Sequence, residues 1–282
     1  MGSPRIQIII PVYNAENYLK RCLDSIQMQT FTDWQAIIVD DASFDGSTDI
    51  IKDYCSADER FVYIRLEVNS GAAAARNVAL SRLSSEYTAF LDADDYWEHD
   101  MLAHLMEKAE KNASDIVQCR FIYDFPGGKQ LLPKGAFSKD VSLCDESLRQ
   151  VYLRMMTGIN MNHVCMKLMR TQLLKGMQFD TRLKTAEDLN FCIRLFQRVR
   201  KYDFINEALY HYCRNETSLT GNGLSAMEKF KANKHISDDL IDALPALGMD
   251  NIFYRGLSYM RPYTITVSKI WRMLCEKVIL KR

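Results

Sequence analysis

The 282-residue chain is 48% hydrophobic and 26% charged, which supplies a sizeable core and excludes global disorder. Its 36 basic and 36 acidic side chains cancel, which excludes the basic excess of a general nucleic-acid binder. The eight cysteines (22, 55, 119, 144, 165, 192, 213 and 275) show no CxxC spacing and sit mostly within apolar patterns, so they read as small hydrophobes of a reduced, cytoplasmic protein.

Ile6–Val12 (IQIIIPV) is a near-continuous apolar run, the pattern of a parallel strand covered on both faces. Tyr18, Leu19, Cys22, Leu23 and Ile26 follow at helical spacing. Ala36–Val39 is a second buried strand ending at Asp40 and Asp41, and the polar loop after it leads into a helix from about Ser47. Phe61–Leu66 alternates as a third strand, and Gly71 opens an alanine-rich helix. Tyr87–Leu91 is a fourth strand. Met101, Leu102, Leu105, Met106 and Ala109 give the next helix its apolar face, and Asp115–Tyr123 begins a fifth strand. Strand and helix alternating in this way predict an α/β fold with a doubly wound, Rossmann-like, mostly parallel sheet. The polar residues fall just past the strand ends: Tyr13 and Asn14, Asp40 and Asp41, Asn69 to Gly71, and Asp92 to Asp95. Open parallel sheets bind ligands along that edge.

From Pro126 the rhythm changes. FPGGKQLLPKG is a turn-rich connector, TAEDLNFCIRLFQRV is a helix, and Tyr202–Ile205 and Ala208–Cys213 are expected as short strands. From about Ser225 the pattern is helical, with breaks at Pro245, Gly248 and Pro262. A secretory leader and a membrane-spanning run are not expected.

The fourth strand ends in three carboxylates, Asp92, Asp94 and Asp95. Acids gathered at the end of a core strand repel one another, and a cation would offset that cost. Closely spaced oxygen ligands suit Mg²⁺ or Mn²⁺, which keep some waters and share a substrate's phosphates. The competing reading is one helix cap and two solvated acids.

The segments IIPVYNAENYLKRCLDSIQMQT, VDDASFDGST, NSGAAAARNVAL, FLDADDYW, AEDLNF and LYHYCRNETSLT, in this order over residues 5–220, resemble glycosyltransferase family 2. The resemblance implies the GT-A fold, with a nucleotide-binding half over about 5–125 and an acceptor half over about 126–220. Residues 221–282 would then form a helical C-terminal extension. It also implies inverting transfer of one sugar from a nucleotide-diphosphate sugar, commonly a UDP-sugar, to a glycan or lipid-linked acceptor in cell-surface polysaccharide synthesis. Under the same resemblance Pro11, Val12 and Tyr13 line the nucleoside pocket, and Asp41 recognises the base. Asp92, Ala93 and Asp94 form the DxD motif, with Asp92 toward the ribose and Asp94 toward Mn²⁺ or Mg²⁺. Arg76 lies near the diphosphate, and Asp188 is the catalytic base. The QxxRW signature of processive members is absent, and Ala186 stands where many members have Gly.

Read on their own chemistry, several of these residues have a second role open to them. Asp41 or Asp40 could be an Asx-type turn residue, and Arg76 could be a surface helix arginine. Tyr13 could be strand-end packing, and Asp92 and Asp95 could fix metal-bound waters or the ribose. Thr185–Asp188 fits a capping box. His211 is a candidate further metal ligand. Within 264–282, Val267, Ile270, Trp271, Leu274 and Val278 share one helical face, and Lys277, Lys281 and Arg282 close the chain. That segment would lie on the cytoplasmic face of an anionic membrane, or fold back on the protein or on a second subunit. Two other functions share parts of this pattern, a nucleotide-sugar-binding pseudoenzyme and a sugar nucleotidyltransferase. The latter would want a Gly-rich basic loop after the first strand, which PVYNAENYLK is not.

Overall fold

The computed structural model describes residues 3–157, 161–183, 185–214, 226–245, 248–250, 254–256 and 258, with the backbone alone at 156–157 and 226–233. Ile6–Val12 (β1) lies between two parallel partners, Trp34–Asp40 (β2) and Tyr87–Phe90 (β4), with Ile6 opposite both Trp34 and Tyr87. Phe61–Arg65 (β3) continues the parallel sheet beyond β2. A strand with neighbours on both edges and helices above and below has no wet face, hence the unbroken run of isoleucines in β1. Glu16–Gln27 (α1), Ser47–Ala57 (α2) and Ala72–Leu80 (α3) make the crossovers, each burying one apolar stripe.

The order across the sheet is β3-β2-β1-β4-β9-β6-β10-β5. Ile116–Asp124 (β6) is the expected fifth long strand, but it does not pair with β4. Lys167–Arg170 (β9) is inserted between them, antiparallel to both. Lys201–Cys213 (β10) runs parallel to β6, and Tyr96–Trp97 (β5) closes that edge antiparallel to β10. Gln130–Leu131 (β7) and Val141–Cys144 (β8) flank β6 and β10. The two short strands expected at 202–205 and 208–213 are one strand of 13 residues. Its register with β6 shifts between Phe204, Ala208 and Tyr210, a bulge that breaks the alternation and looks like a gap in the sequence.

Met101–Asn112 (α4), Arg149–Thr157 (α5), Thr171–Leu174 (α6), Glu187–Phe196 (α7) and Ala226–Ala243 (α8) complete the described elements. α7 buries the expected face of Leu189, Cys192, Ile193 and Phe196. Phe191 of α7 stacks on Phe179 at 4.0 Å, and Phe90 at the end of β4 meets Phe179 edge-on at 5.8 Å. These rings bring the start of α7 against the end of β4. The described part of α8 docks on α7 through Asn190, whose amide donates to Asp239 at 2.7 Å. Among the described residues no helix is long and apolar enough to cross a membrane. The segment 264–282 lies outside the described residues.

Candidate functional site

Asp92 and Asp95 after β4 go to different partners. Asp92 accepts from the Arg76 guanidinium at 2.8 Å and from the Cys165 thiol at 3.6 Å. Asp95 is 1% exposed and accepts from the Tyr210 hydroxyl at 2.5 Å and the Cys213 N–H at 2.8 Å. Burial, reinforced by Asp94 and Asp92, pushes the Asp95 carboxyl well above the usual range. The expectation that Asp95 orders metal waters or the ribose is therefore corrected: it is a core group tying β10 to the turn after β4. Asp94 lies between these two, partly exposed. Its carbonyl accepts from Arg21 at 2.9 Å, and the Arg21 guanidinium sits over the Tyr96 ring. Ala93 is buried between the acids.

Arg76 is 4% exposed, so it is no surface arginine. It leaves α3 and donates to Asp92, to Asp188 at 3.1 Å and to Glu187 at 3.3 Å. Burial opposes its charge, but Asp188 and Asp92 hold it well above the ordinary arginine value. Burial, then Asp188, raises the Glu187 carboxyl. One guanidinium thus joins the end of β4 to the first turn of α7, where the helix dipole favours acids. The capping box expected at Thr185–Asp188 is not formed. Ala186 is the N-cap, in the left-handed region at φ +64°, and no side chain caps the helix. Asp188 is held from its other side by the Val164 N–H at 3.3 Å.

At the end of β2, Asp40 and Asp41 divide the two roles open to them. Asp40 closes the Asx-type turn, accepting from the Ser43 N–H at 2.8 Å. Thr48, Tyr63 and Arg65 complete its shell at 2.9, 3.0 and 2.8 Å. Burial would raise its pKa, yet the bonds from Ser43, Thr48 and Tyr63 hold it below the usual carboxylate value. Asp41 accepts from the N–H groups of Ser70 and Gly71, both at 2.7 Å, and so holds the turn that opens α3. A carboxylate has further lone pairs to offer a ligand. Pro11 is partly exposed and Val12 buried. Tyr13 is 45% exposed and meets Phe44 edge-to-face at 6.2 Å, with Phe44 itself 83% exposed. Tyr13 is thus not strand-end packing. An exposed aromatic pair beside Asp41 needs Phe44, which the sequence offers only as an apolar residue in a polar loop. Val164 and Cys165 were likewise missed, because their contacts to the acids are fixed only by the fold.

His211 has one ring nitrogen 2.8 Å from Asp124 and the other 2.9 Å from Glu98, and it stacks on Tyr96 at 4.2 Å. Both ring nitrogens are thus engaged by carboxylates. Among the described residues no group of three or more His, Cys, Asp or Glu is arranged to hold a metal ion. Asp94, partly exposed at the strand-end edge, suits a cation that takes one or two protein oxygens and fills its shell with water and phosphate. It does not make a closed cage.

Residues 7–177 match the family model described as Glycosyl transferase family 2. The chain is 32% identical over 219 residues to the uncharacterized glycosyltransferase EpsJ of Bacillus subtilis, covering 77% of this chain and 63% of that protein's length. It is 32% identical over 227 residues to the putative teichuronic acid biosynthesis glycosyltransferase TuaG of the same organism, covering 80% of this chain and 86% of that one. Among solved structures, Staphylococcus aureus TarS 1-349 in complex with UDP-GlcNAc superposes with a TM-score of 0.73 at 22% identity, over 94% of this chain and 76% of that one. The fold expected from the sequence is therefore the one found, a GT-A type α/β fold on a mostly parallel sheet. The chain belongs to glycosyl transferase family 2.

Proposed function

We propose that this chain moves one sugar, with inversion, from a nucleotide-diphosphate sugar to a hydroxyl of a glycan or lipid-linked acceptor in cell-surface polysaccharide synthesis. The observation that carries the reading is Arg76, which joins Asp92 on the donor edge to Asp188 on α7 through one buried guanidinium. The relatives support the reaction class, since TuaG is named for teichuronic acid biosynthesis and the TarS structure holds UDP-GlcNAc. In this reading Tyr13 and Phe44 flank the base, Asp41 accepts from it, and Pro11 and Val12 shape the pocket floor. Asp92 and Ala93 sit toward the ribose. Asp94 would hold Mn²⁺ or Mg²⁺, which when bound stabilises charge on the departing diphosphate. Asp188 takes the proton from the acceptor hydroxyl as the bond to the anomeric carbon forms and the bond to the diphosphate breaks. The division into a GT-A unit to about residue 220 and a helical extension beyond, with its membrane or dimer contact through 264–282, belongs to the same proposal.

Slow hydrolysis of the donor tests the reading without knowledge of the acceptor. UDP-GlcNAc and other nucleotide sugars are incubated with the protein in Mn²⁺ or in EDTA, and nucleotide release is measured. Release with Mn²⁺ for at least one donor is expected, and Asp188→Asn should slow it by roughly 10²–10⁴-fold while UDP still raises the melting temperature. Equal release by wild type and Asp188→Asn would move the base elsewhere. Nucleotide binding without any turnover would make the chain a binding protein.

A further inference from the structure

Lys167, the first residue of β9, is 0% exposed. Its ammonium donates to two backbone carbonyls, those of His163 and, at 3.4 Å, Met161. Among the described residues no carboxylate lies within ion-pair distance of it. Burial pulls its pKa below the ordinary lysine value. A buried cation without a carboxylate is costly, and a methionine of similar length would fill the same space without that cost. The gain that offsets the cost is local. The ammonium reaches back four and six residues and gathers the carbonyls of a tight loop, whose last residue, Met166, takes a left-handed φ of +66°.

The same loop carries contacts to two of the three acids joined by Arg76. The Val164 N–H donates to Asp188 at 3.3 Å, and the Cys165 thiol donates to Asp92 at 3.6 Å. The Met166 carbonyl accepts from the Cys119 N–H at 3.0 Å, anchoring the loop to β6. Arg76 alone leaves each carboxylate free to swing about one contact. A second donor from a rigid loop fixes both.

We propose that Lys167 is a positioning residue that clamps the 161–166 loop, so that Val164 and Cys165 fix Asp188 and Asp92 around Arg76. The part of this that concerns turnover rests on the reading of Asp188 as the base. The clamp itself does not. It is a backbone device placed where β9 is inserted antiparallel between β4 and β6.

Four experiments test it. In the wild-type protein, amide hydrogen exchange should show the Val164 N–H protected; exchange as fast as an exposed loop overturns the clamp with no variant needed. Lys167→Met should fold with an unchanged or higher melting temperature and keep the UDP-induced rise. Its kcat for UDP-GlcNAc hydrolysis should fall about tenfold, with KM nearly constant. Val164→Pro, which deletes the donor at the other end, should lose a similar factor. Finally, Lys167→Met should cost little more in an Asp188→Asn background, because residues acting through one group are not additive. Additive losses, or a fall in melting temperature that accounts for the lost activity, make Lys167 a packing residue only. If Asp188→Asn is itself harmless, the base assignment fails, while the exchange result still decides the clamp.

Discussion

β2 and β4 both end in acids on the same edge of one sheet, and the fold uses them differently. Beyond β2, Asp40 and Asp41 are satisfied within the parallel half, by Ser43, Thr48, Tyr63 and Arg65 on one side and by Ser70 and Gly71 on the other. Beyond β4, Asp92 and Asp95 reach partners far along the chain, Cys165 for one and Tyr210 and Cys213 for the other. Arg76, which also holds Asp92, extends that link to Glu187 and Asp188. Acids of the first kind hold the turns at their own strand end, whereas those of the second kind sew the parallel half to the half that carries α7. The difference is one of donors. β2 is followed by loops rich in N–H and O–H groups, while the turn after β4 has a buried guanidinium and a neighbouring strand.

The comparison breaks most severely if Arg76 is replaced. Arg76→Met should leave Asp92, Glu187 and Asp188 close together with no cation, and removing one partner of a buried ionic set costs about 3–5 kcal/mol. In a chain of this size that is a fall on the order of 10 °C in melting temperature. Lowering the pH should return part of the loss, because protonating Glu187, already raised by burial and by Asp188, removes one of the three charges. A melting curve that does not move would show that Arg76 serves only a bound diphosphate and that the two halves are joined elsewhere.

Asp40→Asn tests the other strand end and should be milder. It removes the charge behind the bonds from Thr48, Tyr63 and Arg65, worth about 1.5–3 kcal/mol in sum at neutral pH. The folded-state pKa of Asp40 lies below its unfolded value of 3.8, so its contribution is present above that value and lost as pH falls through the folded pKa. Thermal melts of wild type and variant should therefore differ at pH 7 and converge as the pH drops below about 4. A gap that persists in acid would mean that the shape of the site, and not its charge, stabilises the turn.

The two strand ends also differ in how far the sequence disclosed them. Apolar runs ending in polar clusters placed the end of β2, because the signal and its partners lie within one crossover of each other. The partners of Arg76 lie 111 and 112 residues away, so its helix position alone could not distinguish a surface cation from a buried one. β9 was missed because four residues containing a lysine and an arginine look neither like a core strand nor like an antiparallel insertion. Yet Lys167 and the loop before it are what bring Val164 to Asp188. His211 was open to a metal role because its spacing says nothing of Asp124 and Glu98, which only the pairing of β10 with β5 and β6 brings to its ring.

The smallest effect concerns the residue that starts α7. Ala186 stands where a glycine would be at ease, at φ +64°, and its carbonyl accepts the first helical bond, from the Asn190 N–H at 3.0 Å. A left-handed alanine strains Cβ against its own carbonyl by about 1–2 kcal/mol. Glycine removes that strain but adds freedom to the unfolded chain, which returns about 0.4–1 kcal/mol. The balance for Ala186→Gly runs from zero to a gain of about 1.6 kcal/mol, seen as a rise of at most about 5 °C in melting temperature. Donor hydrolysis should stay at the wild-type rate, because Glu187 and Asp188 keep their hold on Arg76. The methyl group also packs against the core, which sets the opposing case. If the variant melts lower, that contact outweighs the strain. If it melts higher but hydrolyses more slowly, the strained alanine is what aims Asp188, and the strain belongs to the mechanism rather than to the helix.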